Sequence, residues 1–205
     1  MPCLSRGCIA LEPRDTVEQR QEKVGKCKYC EKDGDGPKRK FYEQTICAAI
    51  ALALDEAGVE YTAVFDKPLD MHTTGDRRRP DAVFRFVEKR TVFVEVDEGQ
   101  HIGYSCETKR EADIFSSVED LDADKLMIRI NPDAGGAANT LFSGKATVKE
   151  LNDGRKPLEF VTPRFAEKIV ETVNLIRTFL TGGTPPGHIH YVNWTTTAPP
   201  QIVGT

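Results

Sequence analysis

Asp81-Ala82-Val83-Phe84-Arg85-Phe86-Val87-Glu88, then Lys89-Arg90, then Thr91-Val92-Phe93-Val94-Glu95-Val96-Asp97 is the stretch from which the fold is read. Two runs rich in β-branched and aromatic residues flank a short charged pair, the pattern of a β-hairpin turning at Lys89-Arg90. In the second run, Glu95 and Asp97 are two residues apart and leave one face of the strand, while Val92, Val94 and Val96 leave the other. Side-by-side carboxylates on a largely apolar strand repel each other unless a cation neutralises them. Antiparallel pairing around the Lys89-Arg90 turn sets Asp81 across from about Glu98, within a few residues of Asp97. Three acids then converge at one end of a sheet. Such an oxygen-rich cluster suits Mg²⁺ or Mn²⁺. The alternative is a surface turn, Asp97-Glu98-Gly99, with solvated acids.

Working outward, Phe41, Ile46, Ala49, Ile50, Ala53, Leu54 and Ala57 recur at helical spacing, and Gly58 stands where a helix would stop; the spacing predicts a helix over 41–57. Val59 to Phe65 reads as a strand. Ser105 is the expected N-cap of a helix to about Val118, and Lys125–Ile130 the next strand, halted by Asn131-Pro132-Asp133. Residues 134–160 read as a long Gly-rich loop with a weak strand. Phe165 to Leu180 is a strongly amphipathic helix, and His188 to Trp194 a last strand. The order α-β-β-β-α-β-α-β describes an α/β domain, a mixed sheet flanked by helices.

Residues 1–36 are polar and aperiodic, and Asp33-Gly34-Asp35-Gly36-Pro37 reads as a linker that separates them from a domain over 37–205. Cys27-Lys28-Tyr29-Cys30 has the spacing of a zinc knuckle, and Cys3 and Cys8 are candidates for the other half of a Cys₄ zinc site; the alternative is a tail with free thiols. Cys47 falls on the apolar side of the first helix and reads as core. Tyr191 and Trp194 read as packing, and His188 and His190 as sheet-surface residues.

The chain of 205 residues carries a net charge of −4, unevenly spread: 10 Lys+Arg against 7 acids in residues 1–40, and 18 against 25 in the remainder. No global field announces a polyanion partner, so nucleic-acid binding would fall to local patches such as Arg77-Arg78-Arg79, beside Asp81. No run of about 18 apolar residues is present, so no membrane span is expected. The first residues lack the apolar centre of a secretory signal, and the expected setting is intracellular, cytoplasmic or nuclear, with thiols reduced.

Four blocks stand in order: Arg78-Arg79-Pro80-Asp81; Glu95-Val96-Asp97-Glu98-Gly99-Gln100-His101; Tyr104-Ser105-Cys106-Glu107 with Lys109-Arg110; and Ile128-Arg129 with Asn131-Pro132-Asp133. Together, across roughly residues 41–195, they resemble the PD-(D/E)xK nuclease superfamily, and within it the relatives of very-short-patch-repair endonucleases with an E-V-D-x-x-Q-H signature. The likeness is closest to a family of large-DNA-virus and algal proteins, which often carry Cys/His-rich repeats ahead of the nuclease block. The resemblance implies a restriction-endonuclease-like fold and a Mg²⁺- or Mn²⁺-dependent DNA endonuclease. It implies Asp81 and Glu95 as metal-binding acids and Glu43 as the helix acid. Asp97, the third candidate ligand, stands where the superfamily usually has Lys. Activation of the attacking water then falls to His101, whose neutral imidazole accepts a proton near pH 7, or to Lys109. Gln100 is a candidate to hydrogen-bond water or DNA, and Arg77, Arg78, Arg79 and Arg110 are candidates for DNA phosphates. Cleavage of both strands would favour a homodimer. Two competing readings remain: a catalytically inactive nuclease fold that binds nucleic acid or protein, and a zinc-ribbon regulator that uses the α/β domain for dimerisation.

Overall fold

The hairpin at 81–97 forms the middle of a five-stranded sheet. The structure, a computed structural model, describes residues 41–66, 68–69, 79–97, 107–116, 123–133, 139–143, 157–184 and 187–194. In chain order these give α1 (Phe41–Glu56), β1 (Tyr61–Phe65), β2 (Ala82–Phe86), β3 (Arg90–Val96), α2 (Glu107–Ser116), β4 (Asp124–Ile130), a 3₁₀ turn (Pro157–Phe160), α3 (Pro163–Leu180) and β5 (His188–Val192). The sheet order is β1-β2-β3-β4-β5. The first three strands form an antiparallel meander, and β4 and β5 add to β3 in parallel, each after a helix. The protein therefore has an α/β fold with a mixed sheet between helices, as its alternation of periods predicts.

β3 and β4 are central, and β3 is buried on both faces beyond its first residue. This explains their nearly unbroken apolar runs. One face, carrying Val92, Val94, Leu126 and Ile128, packs under Ile46, Ile50 and Leu54 of α1 and Phe165, Ile176 and Phe179 of α3. The other face, carrying Val83, Phe93 and Met127, packs against Ile114 of α2 and Leu69. The two helices that link parallel strands thus lie on opposite faces. Cys47 is buried in the core, as its place on α1 predicts.

The hairpin register differs from the sequence expectation. Ala82 pairs with Val94 and Phe86 with Arg90, leaving a three-residue turn, Val87-Glu88-Lys89, in place of a two-residue Lys89-Arg90 turn. Lys89 takes the left-handed conformation (φ 53°), the usual device of a three-residue hairpin loop. Arg90 belongs to β3. Its guanidinium bonds the Glu88 carboxylate at 2.9 Å and the Leu180 carbonyl at the end of α3, and it lies over the Phe179 ring. Carried one step past Ala82–Val94, this register sets Asp81 level with Glu95, not Glu98.

Other boundaries move by a residue or two. The strand expected over 59–65 begins at Tyr61, after Val59 closes α1 by donating to the Leu54 carbonyl. α3 starts at Pro163, whose fixed φ suits a first turn, and Arg177 near its C-terminus complements the helix dipole. Among the described residues of 134–160, the expected weak strand is two isolated bridges, Asp133–Thr140 and Phe142–Val161. No helix among the described residues is long and apolar enough to cross a membrane. Cys3, Cys8, Cys27 and Cys30, and with them the candidate zinc segment, lie outside the described residues.

Candidate functional site

The strand ends at one edge of the sheet bring charged residues together beneath α2. β3, β4 and β5 run parallel, so their C-termini share that edge, and Asp97 extends β3 by donating its amide to the Ile130 carbonyl at 2.8 Å. Thr91, Phe93, Glu95 and Asp97 alternate onto the α2 face. Asp81 immediately precedes Ala82, the first paired residue of β2, which stands opposite Val94. Oδ2 of Asp81 accepts the Val96 amide at 2.7 Å, which holds the carboxylate where the β2 ladder stops.

Each acid has a defined partner. Glu95 is buried, and its Oε2 accepts from Nη2 of Arg110 on α2 at 2.6 Å. Asp97 has no solvent exposure. Both its oxygens are bound by the Arg129 fork, Nε to Oδ2 at 2.6 Å and Nη2 to Oδ1 at 2.8 Å, and Nη1 of Arg129 reaches Oε1 of Glu111 at 2.5 Å. Bidentate guanidinium–carboxylate pairing is strong and fixes orientation. Trp194 donates Nε1 to the Arg129 carbonyl at 3.3 Å and lies under its guanidinium, and the Tyr191 ring packs edge-on against Trp194. Burial, and then the charge of Glu111, pushes the Tyr191 phenol up to about 12. Tyr191 thus stays a protonated donor beside that carboxylate. The packing role expected for Tyr191 and Trp194 holds.

Four carboxylates (Asp81, Glu95, Asp97, Glu111) against two guanidiniums (Arg110, Arg129) leave these six groups a formal charge of −2. Among the described residues, no group of three or more His, Cys, Asp and Glu is arranged to hold a metal ion. Of the three acids expected to converge, Asp81 accepts the amide of Val96, the residue after Glu95, Glu95 accepts from Arg110, and both oxygens of Asp97 face Arg129. Glu43 lies in the first turn of α1, the helix that covers the opposite face of the sheet.

Arg79 is exposed and folds back on Asp66, Nη2 donating to its carbonyl at 3.0 Å, so one member of the basic run is moored close to Asp81. Lys109 lies in the first turn of α2, and its side chain is outside the described part of the structure; Arg77, Arg78, Gln100 and His101 lie outside the described residues. The sequence does not single out Glu111, and it offers Arg110 a DNA phosphate or a neighbouring acid on its own helix, Glu107 or Asp113, where the structure gives it Glu95. One signal was available. A lone Arg129 in the apolar strand Leu126-Met127-Ile128-Arg129-Ile130 demands buried acids, and an acid three or four residues into the neighbouring helix is a natural donor of one.

No family model, curated protein or solved structure matches the chain.

Proposed function

We propose that this chain is a metal-dependent DNA endonuclease built on a restriction-endonuclease-like domain. The observation that carries the reading is the Asp81 carboxylate held on the Val96 amide at 2.7 Å, next in the chain to the buried Glu95, under a helix that follows β3. The succession α1-β1-β2-β3-α2-β4 and the four sequence blocks support the same reading. Two carboxylates are a sufficient protein contribution for Mg²⁺ or Mn²⁺, which commonly keep several waters and take further oxygens from phosphate. The donor chemistry of Asp81 and Glu95 fits such an ion, and the formal −2 of the six groups, these two acids included, favours it. A divalent ion bound there would polarise the phosphodiester and lower the pKa of an attacking water.

The remaining roles belong to the chain's own side chains. Asp97, in the position usual for Lys, is committed to Arg129 and ties β3 to β4, so it takes no part in proton transfer. His101, four residues beyond, is the proposed proton acceptor, with Lys109 on α2 the alternative. Arg77, Arg78, Arg79 and Arg110 are the proposed phosphate contacts, which hold DNA without reading its sequence. Attack on both strands would use a homodimer, and the four N-terminal cysteines would hold a structural zinc ion. Zinc content of wild type against Cys27→Ser tests that last assignment.

A second reading, an inactive nuclease fold that binds nucleic acid, is favoured by the Arg110 guanidinium on Glu95. Plasmid nicking separates the two. Wild type should relax supercoiled DNA with Mg²⁺ or Mn²⁺, and Asp81→Ala and Glu95→Gln should abolish nicking while circular dichroism stays unchanged. Wild type that binds DNA yet leaves it intact under every divalent ion would establish the second reading.

A further inference from the structure

The two guanidiniums at the site are held very differently. Arg129 is 5% exposed and makes three bonds to two buried carboxylates. Arg110 sits at the rim of α2 with 26% of its side chain exposed, and the contact to the 4%-exposed Glu95 is a single bond at 2.6 Å. Arg129 is fixed; Arg110 has solvent on one side and a long flexible stem.

We infer that Arg110 is an exchangeable internal counter-cation for Glu95, in direct competition with a divalent ion for that carboxylate. With Arg110 on Oε2, the buried charge is neutralised by the chain itself. With an ion on Glu95, the guanidinium turns outward, where its planar fork suits a phosphate oxygen. Ion and phosphate binding are thereby linked through one side chain, each favouring the state the other needs. The inference rests on the reading of Asp81 and Glu95 as ion-holding acids.

The competition sets a measurable scale. A hydrogen bond between charged groups changes an equilibrium constant on the order of 10- to 100-fold. Calorimetric titration of the full chain with Mn²⁺, without DNA, should give an affinity 10- to 100-fold tighter for Arg110→Met than for wild type. In the Arg110→Met/Glu95→Gln double variant that gain should vanish. Arg110→Lys keeps the charge, loses the fork and should bind Mn²⁺ a few-fold tighter than wild type; it carries the test if Arg110→Met fails to fold. Equal affinities for wild type and the Arg110 variants, all lost with Glu95→Gln, overturn the competition and leave the ion site standing. A gain that survives Glu95→Gln overturns it too, because the ion is then elsewhere. No Mn²⁺ binding by any of the folded proteins overturns both the competition and the ion-holding role of the acids.

Discussion

Replacing Arg129 with Met should be among the most damaging single changes in this chain. Asp97 has no exposed surface and Glu111 is 4% exposed, and the substitution takes a guanidinium from both. Three charge-assisted bonds are lost, each worth about 1.5–3 kcal/mol, while the cost of burying Arg129 is recovered. Breaking one side of a buried ion pair typically costs about 3–5 kcal/mol, and that is the expected loss. It would be a large fraction of a domain stability of about 5–15 kcal/mol. With a urea slope of about 2 kcal/mol/M, the midpoint should fall by about 2 M. The pH signature is as specific. The stranded carboxylates would bind protons more readily in the folded variant than in its unfolded chain, so its deficit relative to wild type should shrink from pH 7 to pH 5. Replacing Arg129, Asp97 and Glu111 together with apolar residues should return most of the loss, because no buried charge is left stranded. A single-variant loss below about 1 kcal/mol, or one independent of pH, would refute the reasoning.

Phe93→Ala should cost about 3–5 kcal/mol by urea unfolding, because Phe93 is fully buried between the sheet and α2 against the Phe115 ring edge. Lys89→Val should cost about 1–2 kcal/mol in the same assay, since a β-branched residue resists the φ of 53°, whereas Lys89→Gly should stay within about 0.5 kcal/mol. His190 titrates below its usual 6.5, through burial first and then the charge of His188, with Glu171 opposing. A depressed histidine leaves stability intact above pH 6.5 and drains it as pH falls toward the folded value, so thermal melts should show wild type losing more than His190→Asn on going below pH 6.5.

The elements that were legible from sequence are those whose burial pattern is local. α1 and α3 show their apolar stripes directly, and β3 and β4, covered on both faces, read as unbroken apolar runs. The hairpin was visible, but its register was not. Lys89-Arg90 looks like the tip because both residues are charged, yet Arg90 lies within the sheet, its guanidinium reaching the Glu88 carboxylate, the Leu180 carbonyl and the Phe179 ring. Those partners are up to 90 residues away in the chain. The same separation hid the fate of Asp97. Spacing alone puts it beside Glu95 as a candidate ligand, and only the parallel alignment of β4, Glu95 level with Arg129, shows which cation meets it. Carried past Ala82–Val94, the register sets Asp81 level with Glu95 and not Glu98, because the turn centres on Glu88, one and a half residues before the middle of Lys89-Arg90.

The central claim is that Asp81 and Glu95 jointly hold one divalent ion at the end of β3. The direct test is anomalous diffraction from crystals of the full chain equilibrated with Mn²⁺. A peak is expected about 2–2.5 Å from a carboxylate oxygen of each residue, with Arg110 turned away from Glu95 and Arg129 still clasping Asp97. Well-ordered crystals at saturating Mn²⁺, with no peak between the two acids and Arg110 still on Glu95, would contradict it.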